Sequence, residues 1–104
     1  MPAVVATSAE NGRTLKLRPG DELEVRLEDF STSGYRWEPD SGPQGADLID
    51  SRYESASTAV GGSGTRVLTF RPDPQGGKIR LKLWRPTVGD SSVSERYELT
   101  IEMS

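Results

Sequence analysis

Glu22-Leu23-Glu24-Val25-Arg26-Leu27-Glu28 alternates charged and aliphatic side chains without a break. Successive side chains of an extended chain leave on opposite faces, so Leu23, Val25 and Leu27 share one face and the charges share the other. This is a strand with one dry face and one wet face. The pattern returns twice downstream. Ile79, Leu81 and Leu83 alternate with Lys78, Arg80 and Lys82, and Tyr97, Leu99, Ile101 and Met103 alternate with Arg96, Glu98, Thr100 and Glu102. Weaker extended signals cover 3–7, 14–17, 35–38, 48–55 and 66–71. No stretch shows convincing helical periodicity.

Turn chemistry separates these segments. Asn11-Gly12 suits a tight hairpin, Arg18-Pro19-Gly20-Asp21 sets Pro beside Gly, and Pro72-Asp73-Pro74-Gln75-Gly76-Gly77 makes a looser bend. Short strands with turns at this spacing predict an all-β, antiparallel sandwich or barrel of about seven to eight strands. With no internal repeat and no linker, residues 1–104 are expected to form a single domain, and the start at Met1-Pro2 and an end soon after the last strand fit a free-standing one. If each strand crosses the sandwich once, successive loops alternate between its ends. Loops 29–34, 56–64 and 85–94 then converge at one end, the usual place for a binding surface in such a fold.

Composition removes most other functions. A chain of 104 residues builds one core rather than two. It contains no His and no Cys. The commonest general base, the commonest metal ligand and any thiol nucleophile are therefore missing, and neither an enzyme nor a metal or cofactor site is expected. A net charge of −3 provides no basic face for nucleic acid. No apolar run approaches the roughly 20 residues that cross a bilayer, and no secretory signal precedes the first strand, so the compartment stays open. The expected partner is a protein and the expected state a monomer, although polar sandwich edges do not by themselves prevent pairing.

Each of the three loops has a bland reading and a functional one. The first runs Ser31-Thr32-Ser33-Gly34-Tyr35 and leads to Trp37. Its hydroxyls either cap their own backbone or bond into a partner, Gly34 permits a backbone conformation closed to other residues, and Trp37 belongs to the core. The second, Gly61-Gly62-Ser63-Gly64-Thr65, is a pliable connection or a surface that moulds against a partner, and it lacks the Lys of a phosphate-binding loop. The third, Trp84-Arg85-Pro86-Thr87, puts a cation on a stiff backbone beside an aromatic ring. Its bland version has Trp84 covering the wet face near Arg80 and Lys82, with Arg85 in a local ion pair with Asp90 or Glu95.

In register along the whole chain, these three loops resemble the chagasin family of cysteine-peptidase inhibitors. That family's pattern is Asn-Pro-Thr-Thr-Gly-Tyr/Phe-x-Trp, then Gly-x-Gly-Gly-Thr, then Arg-Pro-Trp/Phe. The matching segments here are Thr32-Ser33-Gly34-Tyr35-Arg36-Trp37, Gly61-Gly62-Ser63-Gly64-Thr65 and Arg85-Pro86-Thr87. Asn11-Gly12, Gly20-Asp21-Glu22-Leu23 and Ser94-Glu95-Arg96-Tyr97 extend the similarity to both ends of the chain, and the prevalence of Arg over Lys suits a bacterial member.

The resemblance implies an immunoglobulin-like sandwich whose three loops form a wedge. In the family that wedge enters the cleft of a papain-like cysteine peptidase, reversibly and in competition with substrate. Three positions depart from the pattern. Phe30-Ser31 stands where the family has Asn-Pro, Ser63 where a Gly is usual, and Thr87 where the family has its aromatic. Trp84, three residues upstream, is a candidate to replace that aromatic. The alternative is a binding or adhesion module that keeps the scaffold and recognises something other than a peptidase.

Overall fold

The computed structural model describes residues 3–29, 34–40, 45–55 and 64–103. Among the described residues are eight strands: β1 (Ala3–Ala6), β2 (Thr14–Leu17), β3 (Glu22–Asp29), β4 (Arg36–Pro39), β5 (Ala46–Ser55), β6 (Gly64–Pro72), β7 (Gly77–Trp84) and β8 (Glu95–Met103). They form two four-stranded sheets, ordered β1-β3-β6-β5 and β2-β8-β7-β4. The alternation read from the sequence decides which faces meet. Leu23, Val25 and Leu27 of β3 and Leu68 and Phe70 of β6 pack against Ile79, Leu81 and Leu83 of β7 and Tyr97, Leu99 and Ile101 of β8. Each such side chain contributes roughly 1.5–3 kcal/mol on leaving water, and together they form the core of the sandwich.

The inner strands pair antiparallel, while both N-terminal edges pair parallel. β1 runs alongside β3 with Ala3 opposite Glu22, and β2 runs alongside β8 with Thr14 opposite Thr100. Asn11-Gly12 is therefore not a hairpin turn, because the strands on either side of it belong to different sheets. Residues 7–13 cross from one sheet to the other through a short 3₁₀ turn, Ser8–Glu10, capped reciprocally by Thr7 and Glu10. Asn11 behaves as an extra rung on β8: its Oδ1 accepts from the Glu98 N–H at 3.0 Å and its Nδ2 donates to the Arg96 carbonyl at 3.3 Å. The Gly12 N–H donates to the Glu98 carbonyl at 2.7 Å. Open backbone groups on β8 thus take up the bonds that a hairpin would have made locally.

The outer face of the first sheet carries a charge lattice. Across β3, β6 and β5, Arg26, Val67 and Arg52 stand in one row, flanked by Glu24 and Glu54. Arg26 reaches Glu54 at 2.5 Å and Glu24 at 3.3 Å, and Arg52 reaches Glu54 at 3.1 Å and Glu24 at 3.4 Å. Val67 is fully buried yet stands apart from the inter-sheet core. The apolar stems of the two arginines cover it.

On the second sheet, Lys82 was expected on the wet face, but its side chain is only 8% exposed. Asp40 and Asp90 lie 3.7 and 3.5 Å from its Nζ, and the Trp84 ring centre lies 3.7 Å away. Opposite charge and an aromatic face replace the water that it gives up.

Candidate functional site

The registers bring three chain connections to one end of the sandwich. Asp29, the last residue of β3, stands opposite Gly64, the first of β6, and Gly64 also faces Ser55, the last of β5. In the other sheet Arg36, the first residue of β4, stands opposite Trp84, the last of β7. The loop end expected from strand parity is therefore present. Ser31, Thr32 and Ser33 of the first loop and Gly61, Gly62 and Ser63 of the second lie outside the described residues.

The flanks of the first and third loops meet. The Arg85 guanidinium carbon lies 4.7 Å above the centre of the Tyr35 ring. Gly34, at φ +82°, turns the chain into this contact, and a Cβ added there would meet only Arg85 Nε, at 3.9 Å. Among the described residues Arg85 makes no ion pair with Asp90 or Glu95. Asp90 is engaged instead by Lys82, and Arg85 is spent on the aromatic face. Arg85, Pro86 and Thr87 are exposed and Tyr35 is half-buried against the core.

Below this surface Trp37 is buried, as expected. Its Nε1 donates to the Glu28 carbonyl at 3.0 Å and its ring meets Tyr97 edge-on with centroids 6.4 Å apart. That bond joins β4 of one sheet to β3 of the other. Tyr97 donates its hydroxyl to the Thr7 carbonyl at 2.7 Å. Burial, aided by the Glu10 carboxylate, pushes its phenol pKa up to about 12.

Trp84 covers the outer face of its sheet. Its ring lies on Lys82 and its Nε1 donates to Glu38 Oε1 at 2.8 Å. Gly64 also has a packing reason, since a Cβ there would collide with the Tyr53 ring and the Glu54 carbonyl. Two features of the third loop went unread in the sequence: exposed Val88 at its tip, and Ser92, whose hydroxyl bonds to both arms of the turn. The pair Thr87-Val88 sits outside any alternating run, and a single Ser in a polar loop carries no signal of its bonding partners.

A profile described as "Chagasin family peptidase inhibitor I42" matches residues 16–101. The chain belongs to the chagasin family of peptidase inhibitors. It is thus an inhibitor rather than an enzyme. The fold agrees with solved structures. The crystal structure of the cysteine protease inhibitor EhICP2 from Entamoeba histolytica superposes with a TM-score of 0.85 at 18% identity, covering 100% of this chain and 97% of that one. The solution structure of Amebosin gives 0.80 at 23% identity with full coverage of both chains. PbICP-C, solved in complex with falcipain-2, gives 0.61 at 15% identity, covering 99% of this chain and 92% of that one. No curated protein matches the chain by sequence.

In this chagasin-family chain Arg85 lies over Tyr35 beside Gly34, Pro86 and Thr87 follow Arg85 in the chain, and Gly64 and Thr65 begin the strand that leaves the same end.

Proposed function

We propose that the chain is a reversible, competitive inhibitor of papain-like cysteine peptidases, acting by insertion of its loop end into the active-site cleft. The single observation that carries this reading is the stacking of Arg85 on Tyr35 beside Gly34. It fuses the first and third loops of the family pattern into one surface before any partner arrives. The proposed contacts are Ser31, Thr32, Ser33, Gly34 and Tyr35 from the first loop, Gly61, Gly62, Ser63, Gly64 and Thr65 from the second, and Arg85, Pro86 and Thr87 from the third. Trp84, the last residue of β7 beside Arg85, is a further proposed contact in place of the family's aromatic.

The physics requires no reaction. A protease–inhibitor contact buries roughly 800 Å² per partner, and affinity grows when little has to be ordered on binding. Gly34 leaves room for close approach of the peptidase backbone at the first loop. Arg85 presents a cation already aligned by an aromatic ring.

Titration against a panel of papain-like peptidases, following hydrolysis of a fluorogenic peptide, tests the proposal. Competitive inhibition at submicromolar concentration is expected. No inhibition across the panel, from protein whose β fold is verified by circular dichroism, would overturn it and favour a binding module on the same scaffold.

A further inference from the structure

Among the described residues four large apolar side chains are exposed: Val5, Leu48, Ile49 and Val88. Val5 stands on edge strand β1 opposite Glu24, while Leu48, opposite Phe70, and Ile49, at the register shift of β5, lie toward the far end of the sandwich. Val88 is different. It is the most exposed of the four, at 57%, and it stands at the loop end, one residue past Thr87.

The turn that carries Val88 is fastened before any partner binds. The N–H groups of Val88 and Gly89 both donate to the Arg85 carbonyl at 3.0 Å. On the other arm, the Arg85 N–H donates to Ser92 Oγ at 2.9 Å. The Ser92 hydroxyl lies 2.6 Å from the Gly89 carbonyl and 3.1 Å from that of Arg85. A hydroxyl has one proton to give, and the shorter contact to Gly89 takes it. Gly89, at φ +101°, supplies the backbone conformation that closes the turn, and Lys82 ties Asp90 back to the sheet. An exposed aliphatic side chain on a mobile loop gains little on binding, because ordering the loop offsets the gain; on a stapled turn that cost has already been met within the fold.

We infer that Val88 is the apolar anchor of the third loop and that Ser92 is its positioning residue. The inference rests on the inhibitor reading and names its specificity. The wall of the peptidase cleft that meets this loop offers a shallow aliphatic patch, which a valine fills, and a wall lined with charge is rejected.

Inhibition constants for wild type, Val88→Ala, Val88→Asp, Ser92→Ala and the double variant Val88→Ala/Ser92→Ala, each with a thermal unfolding curve, test this against a peptidase that the wild type inhibits. Val88→Ala is expected to weaken inhibition about tenfold and Val88→Asp about a hundredfold, with unfolding temperatures unchanged because the side chain is exposed. Ser92→Ala weakens inhibition several-fold alone and adds nothing in the Val88→Ala background. A merely structural serine would not produce that non-additivity. Full potency of Val88→Asp overturns the anchor while leaving the inhibitor reading intact. Equal losses from Ser92→Ala in both backgrounds overturn the positioning role. A wild type that inhibits no papain-like peptidase contradicts the underlying reading, and the inference falls with it.

Discussion

Arg85 stacks on Tyr35 across the gap between two loops, its guanidinium carbon 4.7 Å from the ring centre. Tyr35 is braced from below by the core and Arg85 is exposed above it. A cation held this way is oriented by the ring face, and a desolvated cation–π contact is stronger than an exposed one. Covering this pair with a partner should therefore strengthen it.

That relationship makes a first prediction. Arg85→Ala and Tyr35→Ala should each weaken inhibition by about tenfold or more, and the double variant should lose less than the sum of the two. Arg85→Lys should rescue only part of the loss, because an ammonium lacks the flat surface that stacks. Inhibition constants arranged as a double-mutant cycle check this, with thermal unfolding as the control for folding.

Gly34 gives the second. Space is not limiting there, since an added Cβ would meet only Arg85 Nε at 3.9 Å, but the φ of +82° is. A side chain in that backbone region costs about 1–2 kcal/mol. Gly34→Ala should lower the stability measured by urea unfolding by that amount, and Gly34→Asn by less, because Asn tolerates the left-handed region better.

At Gly64 the limit is space instead. Its φ is not positive, but an added Cβ would run into the Tyr53 ring and the Glu54 carbonyl. Gly64→Ala should destabilise by about 1–3 kcal/mol. Adding Tyr53→Ala should relieve only part of the strain, because the backbone carbonyl stays in place. Urea unfolding of the single and double variants decides it.

Stability should fall at both pH extremes, for different groups. The Glu54 carboxyl is held below the usual carboxylate range first by Arg52 and then by Arg26, and that of Glu98 by Arg80 and Lys78. A depressed folded-state pKa adds stability that is present above the ordinary carboxylate pKa and is lost as pH falls through the folded value. Tyr97 behaves in the opposite sense. With its pKa raised to about 12, the neutral phenol is favoured in the fold, and its contribution is complete below the ordinary value of 10.0 and lost as pH climbs toward 12. Urea midpoints should fall in acid and again in strong alkali. Tyr97→Phe should remove part of the alkaline loss and cost about 0.5–1.5 kcal/mol at neutral pH through the missing bond to Thr7.

How far the sequence discloses this molecule depends on the distance over which each feature is decided. β3, β7 and β8 are legible because alternation is local, and the gathering of the loops follows from counting strand crossings. The parallel edges are not legible. Asn11-Gly12 has the local chemistry of a hairpin, and only the start of β8 at Arg96 and Glu98, more than eighty residues away, claims Asn11 for itself. Val67 and Leu68 are adjacent and both buried, which breaks the period of two, because arginines from strands on either side cover Val67. Lys82 alternates like a wet residue and is buried by Trp84, Asp40 and Asp90. In the candidate site, Gly34, Tyr35 and Arg85 are named by motif. Their stacking, and the Ser92 staple under Val88, arise from contacts that no spacing encodes.

The central claim is that the loop end fills the active-site cleft of the peptidase, and protection of the catalytic thiol there measures that directly. A papain-like peptidase is treated with iodoacetamide, with and without a saturating amount of this protein, and the rate of thiol alkylation is followed by mass spectrometry. The account predicts that alkylation slows many-fold and that the full rate returns with Gly34→Trp, which blocks close approach of the first loop. An unchanged alkylation rate in a complex shown to form would contradict it.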